Sequence, residues 1–259
     1  MKTSYILGIV LVVILVGAVG AYLLLNNNSG QCSGKCLVVG TNVPFPPFEY
    51  QLSNGTVTGF DMDVIRALAI QDGYNGITIK NFASFDSLIP ALQQGQVDVV
   101  AAGMTITPDR QAQVNFTNPY WQADQSILVL NSSNSNPQSI TDLAGKTVGV
   151  QTGTTGESLA EQYNTTLGPI KHYDTFLLAV LDLVNGKLDA VIVDSPVATA
   201  FTGQYSVRVA STVVTGEQWG FAVKIGNTSL LNGLNSALAT FKGSTQWNAL
   251  IKQYFGTQS

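Results

Sequence analysis

Val97-Asp98-Val99-Val100-Ala101-Ala102-Gly103-Met104-Thr105-Ile106-Thr107-Pro108-Asp109-Arg110 reads as a strand that passes through a short turn straight into a helix. The apolar, β-branched run Val97 to Ala101 predicts a buried strand. Thr107 is a good N-cap and Pro108 suits the first helical position, where a missing N–H is not needed. Arg110 then falls at the third residue of the helix, beside free backbone N–H groups and the Thr105 hydroxyl. A guanidinium there can hold a carboxylate in a bidentate fork. By spacing alone Arg110 is equally an ordinary surface helix residue.

On both sides of this stretch, short β-branched runs alternate with segments of helical period, the pattern of an α/β protein with mostly parallel sheets. Leu37 to Gly40, Ile77 to Asn81, Ile127 to Leu130, Thr147 to Val150, Ala190 to Val193 and Gly220 to Val223 read as strands. Asp61 to Gln71 puts Val64, Ile65, Leu68 and Ala69 on one helical face, and Phe85 to Gln94 turns Leu88, Ile89 and Leu92 inward despite Pro90. Ser244 to Tyr254 closes the chain as a helix carrying Trp247, Leu250, Ile251 and Tyr254 at i, i+3, i+4 and i+7. Two sets of such elements without a long linker predict two lobes. The break is expected near Ser126 to Asn136, with a discontinuous first lobe (residues 37–127 plus 219–259) and a second lobe at 128–218. Two crossings make a hinge, and a ligand would lie at the carboxyl ends of the strands.

Two further constellations follow strands. In Gln151-Thr152-Gly153-Thr154-Thr155-Gly156-Glu157, Thr154 and Glu157 have capping-box spacing and open a helix through Tyr163, whose free amides suit an anion. The lysine and glycine spacing of a phosphate loop are absent. Asp194 ends the apolar strand Ala190 to Val193, placed to accept hydrogen bonds from an ammonium or to cap the helix that Pro196 opens. Arg110, the Thr154 region and Asp194 together suit a small zwitterion. Phe45, Phe48, Phe85, Tyr120 and Trp121 are available as aromatic walls, although a single aromatic is more often core.

Composition narrows the class. The 259 residues carry 12 Lys+Arg against 16 Asp+Glu, so the chain lacks the cationic face that nucleic acid requires. Its 45% hydrophobic content excludes disorder, and no cofactor or metal is expected, since His172 is the only histidine. Tyr5 to Leu25 is an uncharged apolar run long enough to span a bilayer, with Lys2 before it, which places the rest outside the cell. It reads as a signal anchor, with cleavage after Ala18-Val19-Gly20 as the alternative. Residues 26–36 form a polar tether that ends in Cys32 and Cys36, a pair read either as a small disulfide loop or as a lipid site at Cys32. Asn-x-Ser/Thr triplets at Asn27, Asn54, Asn115, Asn131, Asn164 and Asn227 permit glycosylation without showing it.

Taken in order, Pro47-Phe48-Glu49-Tyr50, Gly59-Phe60-Asp61-Met62-Asp63, Ile89-Pro90-Ala91-Leu92, Gly103 to Arg110, Phe116-Thr117-Asn118-Pro119-Tyr120, Asp142-Leu143-Ala144-Gly145-Lys146, Gly153-Thr154 and Asp189 to Asp194 resemble the solute-binding proteins of polar amino-acid ABC transporters. The likeness covers Leu37 to Gly256. It implies a type II periplasmic-binding-protein fold of two α/β lobes joined by a two-strand hinge, here preceded by a transmembrane helix. It also implies an extracytoplasmic, monomeric receptor that delivers a free amino acid to an ABC permease. By the same resemblance, Arg110 binds the α-carboxylate, helped by Thr105 and the amides around Thr154 and Thr155. Asp194 and the Gly103 carbonyl take the α-ammonium, Phe45 and Phe85 sandwich the ligand, and Asn42, Gln151 and Val193 lie near its side chain. Basic-ligand members often carry an acid where Asn42 stands, so a neutral polar ligand is expected.

Two other functions remain open. A cyclohexadienyl-dehydratase-like enzyme on the same fold needs a positioned acid or base, for which Glu49 and Glu157 are the glutamates nearest the motifs. A ligand-sensing domain acting through a separate membrane partner is the third reading. His172, ahead of Tyr173 and Asp174, reads as a surface or strand-edge residue.

Overall fold

The computed structural model describes residues 32–256. The expected membrane span at 5–25 lies outside them, and among the described residues no helix is long and apolar enough to cross a membrane. The strands are β1 (Cys36–Thr41), β2 (Tyr50–Gln51), β3 (Val57–Thr58), β4 (Gly76–Asn81), β5 (Val99–Val100), β6 (Asn115–Phe116), β7 (Trp121–Leu130), β8 (Val148–Gln151), β9 (Ile170–Tyr173), β10 (Ala190–Asp194), β11 (Val207–Trp219) and β12 (Ala222–Val223). The helices are α1 (Phe60–Gln71), α2 (Leu88–Gln93), α3 (Pro108–Gln111), α4 (Thr155–Glu161), α5 (Phe176–Val184), α6 (Ser195–Thr202), α7 (Thr228–Phe241) and α8 (Thr245–Phe255).

Two five-stranded sheets carry the molecule, ordered β4-β1-β5-β12-β6 and β11-β7-β10-β8-β9. Each is mixed, with four strands running one way and a single strand against them. In the first, β1 pairs parallel with β4 and β5, while β12 runs antiparallel to β5 and β6. In the second, β8 pairs parallel with β9 and β10, while β7 runs antiparallel to β10 and β11. The like-directed strands follow one another through helices, and the two that oppose them, β7 and β12, are those on which the chain enters the second sheet and returns to the first without a crossover helix.

Period-2 alternation sorts the side chains of each sheet. Val39 and Val99 face one core and Val100 faces another, joined there by the half-buried Val38. In the second sheet Ile127, Val129 and Ile192 fill one cluster, while Leu128, Val191 and Val193 fill the other. Helix α1 buries Phe60, Met62, Val64, Ile65, Leu68 and Ala69, each large side chain contributing about 1.5–3 kcal/mol by leaving water. The segment expected to be helical from Phe85 to Gln94 begins instead as a 3-10 turn, Phe85–Ser87, and becomes α2 at Leu88. Pro90 is then in the first turn, where no N–H is required. Leu88, Ala91 and Leu92 are buried, whereas Ile89 is only partly covered.

The lobe break predicted at Ser126 to Asn136 falls inside or just after a strand. Residues 121–127 pair with β11, and from Gln125 also with β10, so the chain leaves the first sheet after Phe116 and returns after Trp219. Trp121 and Trp219 are paired where β7 and β11 cross between the sheets. The polar residues Gln122, Asp124 and Gln125 hide the early start of β7 from a search for apolar runs. At the amino end Cys32 and Cys36 form a disulfide, which engages both sulfurs and settles the alternative left open by their spacing.

Candidate functional site

Strand β5 delivers the chain to Gly103, whose positive φ of 53° suits glycine and brings its backbone against the Phe45 ring, so that an added Cβ would collide with that ring. The Gly103 N–H donates to Asp61 Oδ2 at 3.0 Å, and the Tyr120 hydroxyl donates to the same oxygen at 2.6 Å. Burial pushes the Asp61 carboxyl up to about 7 against these two bonds. Thr107 caps α3 as expected, accepting the Arg110 N–H through Oγ1. Arg110 is 9% exposed, and its guanidinium donates to the Thr105 carbonyl at 2.8 Å and to the Gly153 carbonyl at 2.9 Å. It lies 5.3 Å from the Phe85 ring centre. Burial lowers its pKa, while the charges of Asp194 and Glu217 oppose that shift.

From the second sheet, β8 ends at Gln151 and α4 begins at Thr155. Thr154 Oγ1 accepts the Glu157 N–H and donates to the Gln151 carbonyl at 2.7 Å. The capping box is not closed as the spacing predicts, since Glu157 Oε2 accepts from the Gly153 N–H at 2.7 Å rather than from Thr154. The helix also ends at Glu161, short of Tyr163. His172 is on β9, largely exposed, with Nδ1 2.7 Å from Glu157 Oε1. Asp194 ends β10 and stands before α6, but its carboxylate does not cap that helix; it accepts from Gln125 Nε2 at 3.1 Å. Burial, then the Glu217 charge, pushes Asp194 up to about 8, with Arg110 pulling the other way.

These elements converge on one cavity lined by Phe45, Phe85, Gly103, Thr105, Arg110, Gln151, Thr154, Thr155 and Asp194, together with Ala102 and Phe176. Asn42 is one bond away, its Oδ1 accepting from Gln151 Nε2 at 2.7 Å while its Nδ2 donates to the Phe82 carbonyl. Val193 is not among the cavity's lining residues; it is fully buried in the hydrophobic core that also holds Phe45 and Phe176. Phe48 packs against Trp219 and Trp121, and Tyr120 stacks on Phe221; Phe48 and Tyr120 are buried, Trp121 is half-buried, and none of the three lines this cavity. The free volume is only about 10 Å³, so a molecule of amino-acid size enters only as the two sheets part. A larger open cleft of about 690 Å³ includes Trp121, Pro196, Lys242 and Trp247, yet no carboxylate lines it.

Sequence reasoning missed three members of the site. Phe176, the first residue of α5, is indistinguishable by pattern from a core aromatic. Gln125 and Glu217 are polar residues of β7 and β11, and Glu217 collects donors from Thr105, Thr155, Gln125 and Thr215. An acid two residues before a buried tryptophan was the available signal. Neither glutamate considered for catalysis lines the cavity. Glu157 is held by Gly153 and His172, and Glu49 is 1% exposed, its carboxyl held well above the usual range by burial.

The sequence pattern of the bacterial extracellular solute-binding proteins, family 3, matches residues 37–257. The chain belongs to this family. Among its relatives, the ABC transporter arginine-binding protein 1 of Escherichia coli is 33% identical over 241 residues, covering 91% of this chain and 97% of that protein. An ancestral arginine-binding protein solved with arginine superposes at a TM-score of 0.81 with 38% identity, over 86% of this chain and 99% of the other. An ancestral arginine-binding protein solved with glutamine gives 0.81 and 39%, with the same coverage. An ancestral amino-acid-binding protein described as a precursor of cyclohexadienyl dehydratase gives 0.78 and 36%, over 85% and 96%. The solute-binding protein thus has the α/β periplasmic-binding-protein-like fold, here with mixed sheets, and an extracytoplasmic place of work.

Proposed function

We propose that this solute-binding protein is the receptor of an amino-acid ABC importer and closes on a free, neutral polar amino acid. The observation that carries the reading is the opposition of Arg110 and Asp194 across one small cavity. Of the five guanidinium N–H groups only two are committed to carbonyls, so others remain for an α-carboxylate. Asp194 and the Gly103 carbonyl receive the α-ammonium, and Phe45 and Phe85 flank the ligand's stem.

Specificity follows from what stands at the far end. The Asn42 and Gln151 side chains are both carboxamides, bonded to each other, and offer no net charge to a guanidinium or ammonium side chain. The likeness to arginine-binding relatives supports amino-acid capture. An ancestral arginine-binding protein solved with glutamine supports a pocket of this shape accepting a neutral side chain. Closure works by population shift: a ligand that touches Arg110 beside the first sheet and Asp194 on the second stabilises only the shut state. The permease then reads that state, with the Tyr5 to Leu25 run as the proposed tether. The positions of Glu49 and Glu157 outside the cavity count against a dehydratase. Calorimetric titration of the full chain with glutamine and arginine tests the reading. Tighter binding of glutamine supports it, tighter binding of arginine overturns the neutral specificity, and binding of neither overturns the receptor.

A further inference from the structure

We propose that Glu217 is a positioning residue for closure, aimed into the cleft by a pinned bulge in β11 and tying the first sheet to the second when the protein shuts. The inference rests on the receptor reading but concerns a residue outside the zwitterion contacts. Along the β7–β11 ladder Val213 pairs with Gln125 and Glu217 with Ala123, so β11 spends four steps where β7 spends two. The three residues that face Asp124 alone, Val214-Thr215-Gly216, form a bulge with Gly216 at φ 63° and Val214 in solvent. Asp124 pins it, one carboxylate oxygen accepting both the Thr215 and Gly216 N–H groups at 2.8 Å.

The residue that leaves this bulge is turned inward. Glu217 is 8% exposed; Oε2 accepts from Thr105 Oγ1 at 2.6 Å and Thr155 Oγ1 at 2.8 Å, and Oε1 from Gln125 Nε2 at 2.9 Å and Thr215 Oγ1 at 3.2 Å. Three of these donors belong to the second sheet or the helix after β8. Thr105 alone follows a strand of the first sheet. The Thr105 backbone bridges to Trp219 where β11 passes between the sheets, so opening about that crossing pulls on this one charge-assisted bond and leaves the other three unloaded, a difference that favours the shut state. It also holds Thr105 where the resemblance places its hydroxyl beside the ligand.

The test uses the full chain with spin labels on the exposed sites Gln93→Cys and Asn164→Cys, one beside each sheet, and reads the inter-label distance without ligand. Dissociation of bound glutamine or arginine is followed by stopped flow. Glu217→Gln keeps the side chain's size but exchanges one acceptor oxygen for a donor. The expected result is about tenfold faster dissociation, as one charge-assisted bond implies, and a shift of the distances to longer values. Thr105→Val should reproduce both effects, and the double variant should add little to either single one. Unchanged distances and rates in Glu217→Gln, or additive effects in the double variant, would overturn the proposal. If the parent chain binds no amino acid, the receptor reading fails while the distances still judge the latch.

Discussion

Asp194 carries the most informative titration in the molecule. In the ligand-free cavity its carboxyl is pushed up to about 8, first by burial and then by Glu217. An α-ammonium favours the carboxylate, so binding at pH 7 expels a proton. Affinity should rise with pH up to about 8, by at most about tenfold per unit. Calorimetry in two buffers of different ionisation heat reads this directly: the heats should differ for the parent and coincide for Asp194→Asn. Identical heats for the parent would contradict the assignment. Gly153 gives a second residue-level prediction. It has φ 79°, and a Cβ there would lie 2.7 Å from the Asp86 Cβ, while its carbonyl accepts from Arg110. Gly153→Ala should weaken ligand affinity by about tenfold or more, the order of one strained residue, and an unchanged Kd would refute it. Arg110 and Asp194 could be singled out in the sequence because Thr107 and Pro108 mark the start of the helix that carries Arg110 and because Asp194 ends an apolar strand. Glu217 was not, since Gly216-Glu217-Gln218 has the look of a polar turn and only the bulge's geometry turns its acid inward.

At the scale of elements, the ones read most closely from the sequence are those with a clean period. Helix α1 and strand β1 fall within a residue of their expected ends because their buried faces repeat at 3.6 and 2, and β4 matches as closely through its β-branched run although its burial does not alternate. Strand β7 was cut short because polar residues at its start bond across the crossing rather than pack. The parallel expectation missed one strand in each sheet, because alternation of strand and helix says nothing about the direction of β7 and β12, on which the chain crosses between the sheets. Helix α1 offers a calibrated test. Leu68 is fully buried and Ile70 is 55% exposed, two residues apart. Leu68→Ala should cost about 2–5 kcal/mol by leaving a cavity, and Ile70→Ala about 0.5 kcal/mol or less. Urea unfolding of the two variants measures the contrast; equal losses would contradict the packing described.

At the scale of the whole molecule, the buried acids Asp61 and Asp194 tie stability to pH. Both have folded values, about 7 and about 8, above the ordinary carboxyl value near 4. The folded state therefore holds protons that the unfolded chain has released, and that stabilisation is lost as pH rises through 7 to 8. The ligand-free Tm should fall between pH 5 and pH 8, and saturating ligand should flatten the part owed to Asp194. Thermal melts across that range check the sign, and a rising Tm would reverse it. The same two-sheet arrangement makes the central claim a claim about opposite charges: Arg110 and Asp194 must both be used for the sheets to stay shut. Arg110→Ala should then weaken binding by about a hundredfold or more, since it leaves a carboxylate buried without its partner. The most direct measurement is calorimetry of the full chain with glutamine, its deaminated analogue and its decarboxylated analogue. The account predicts binding of glutamine and at least a hundredfold loss for either analogue. An analogue binding as tightly as glutamine would contradict it.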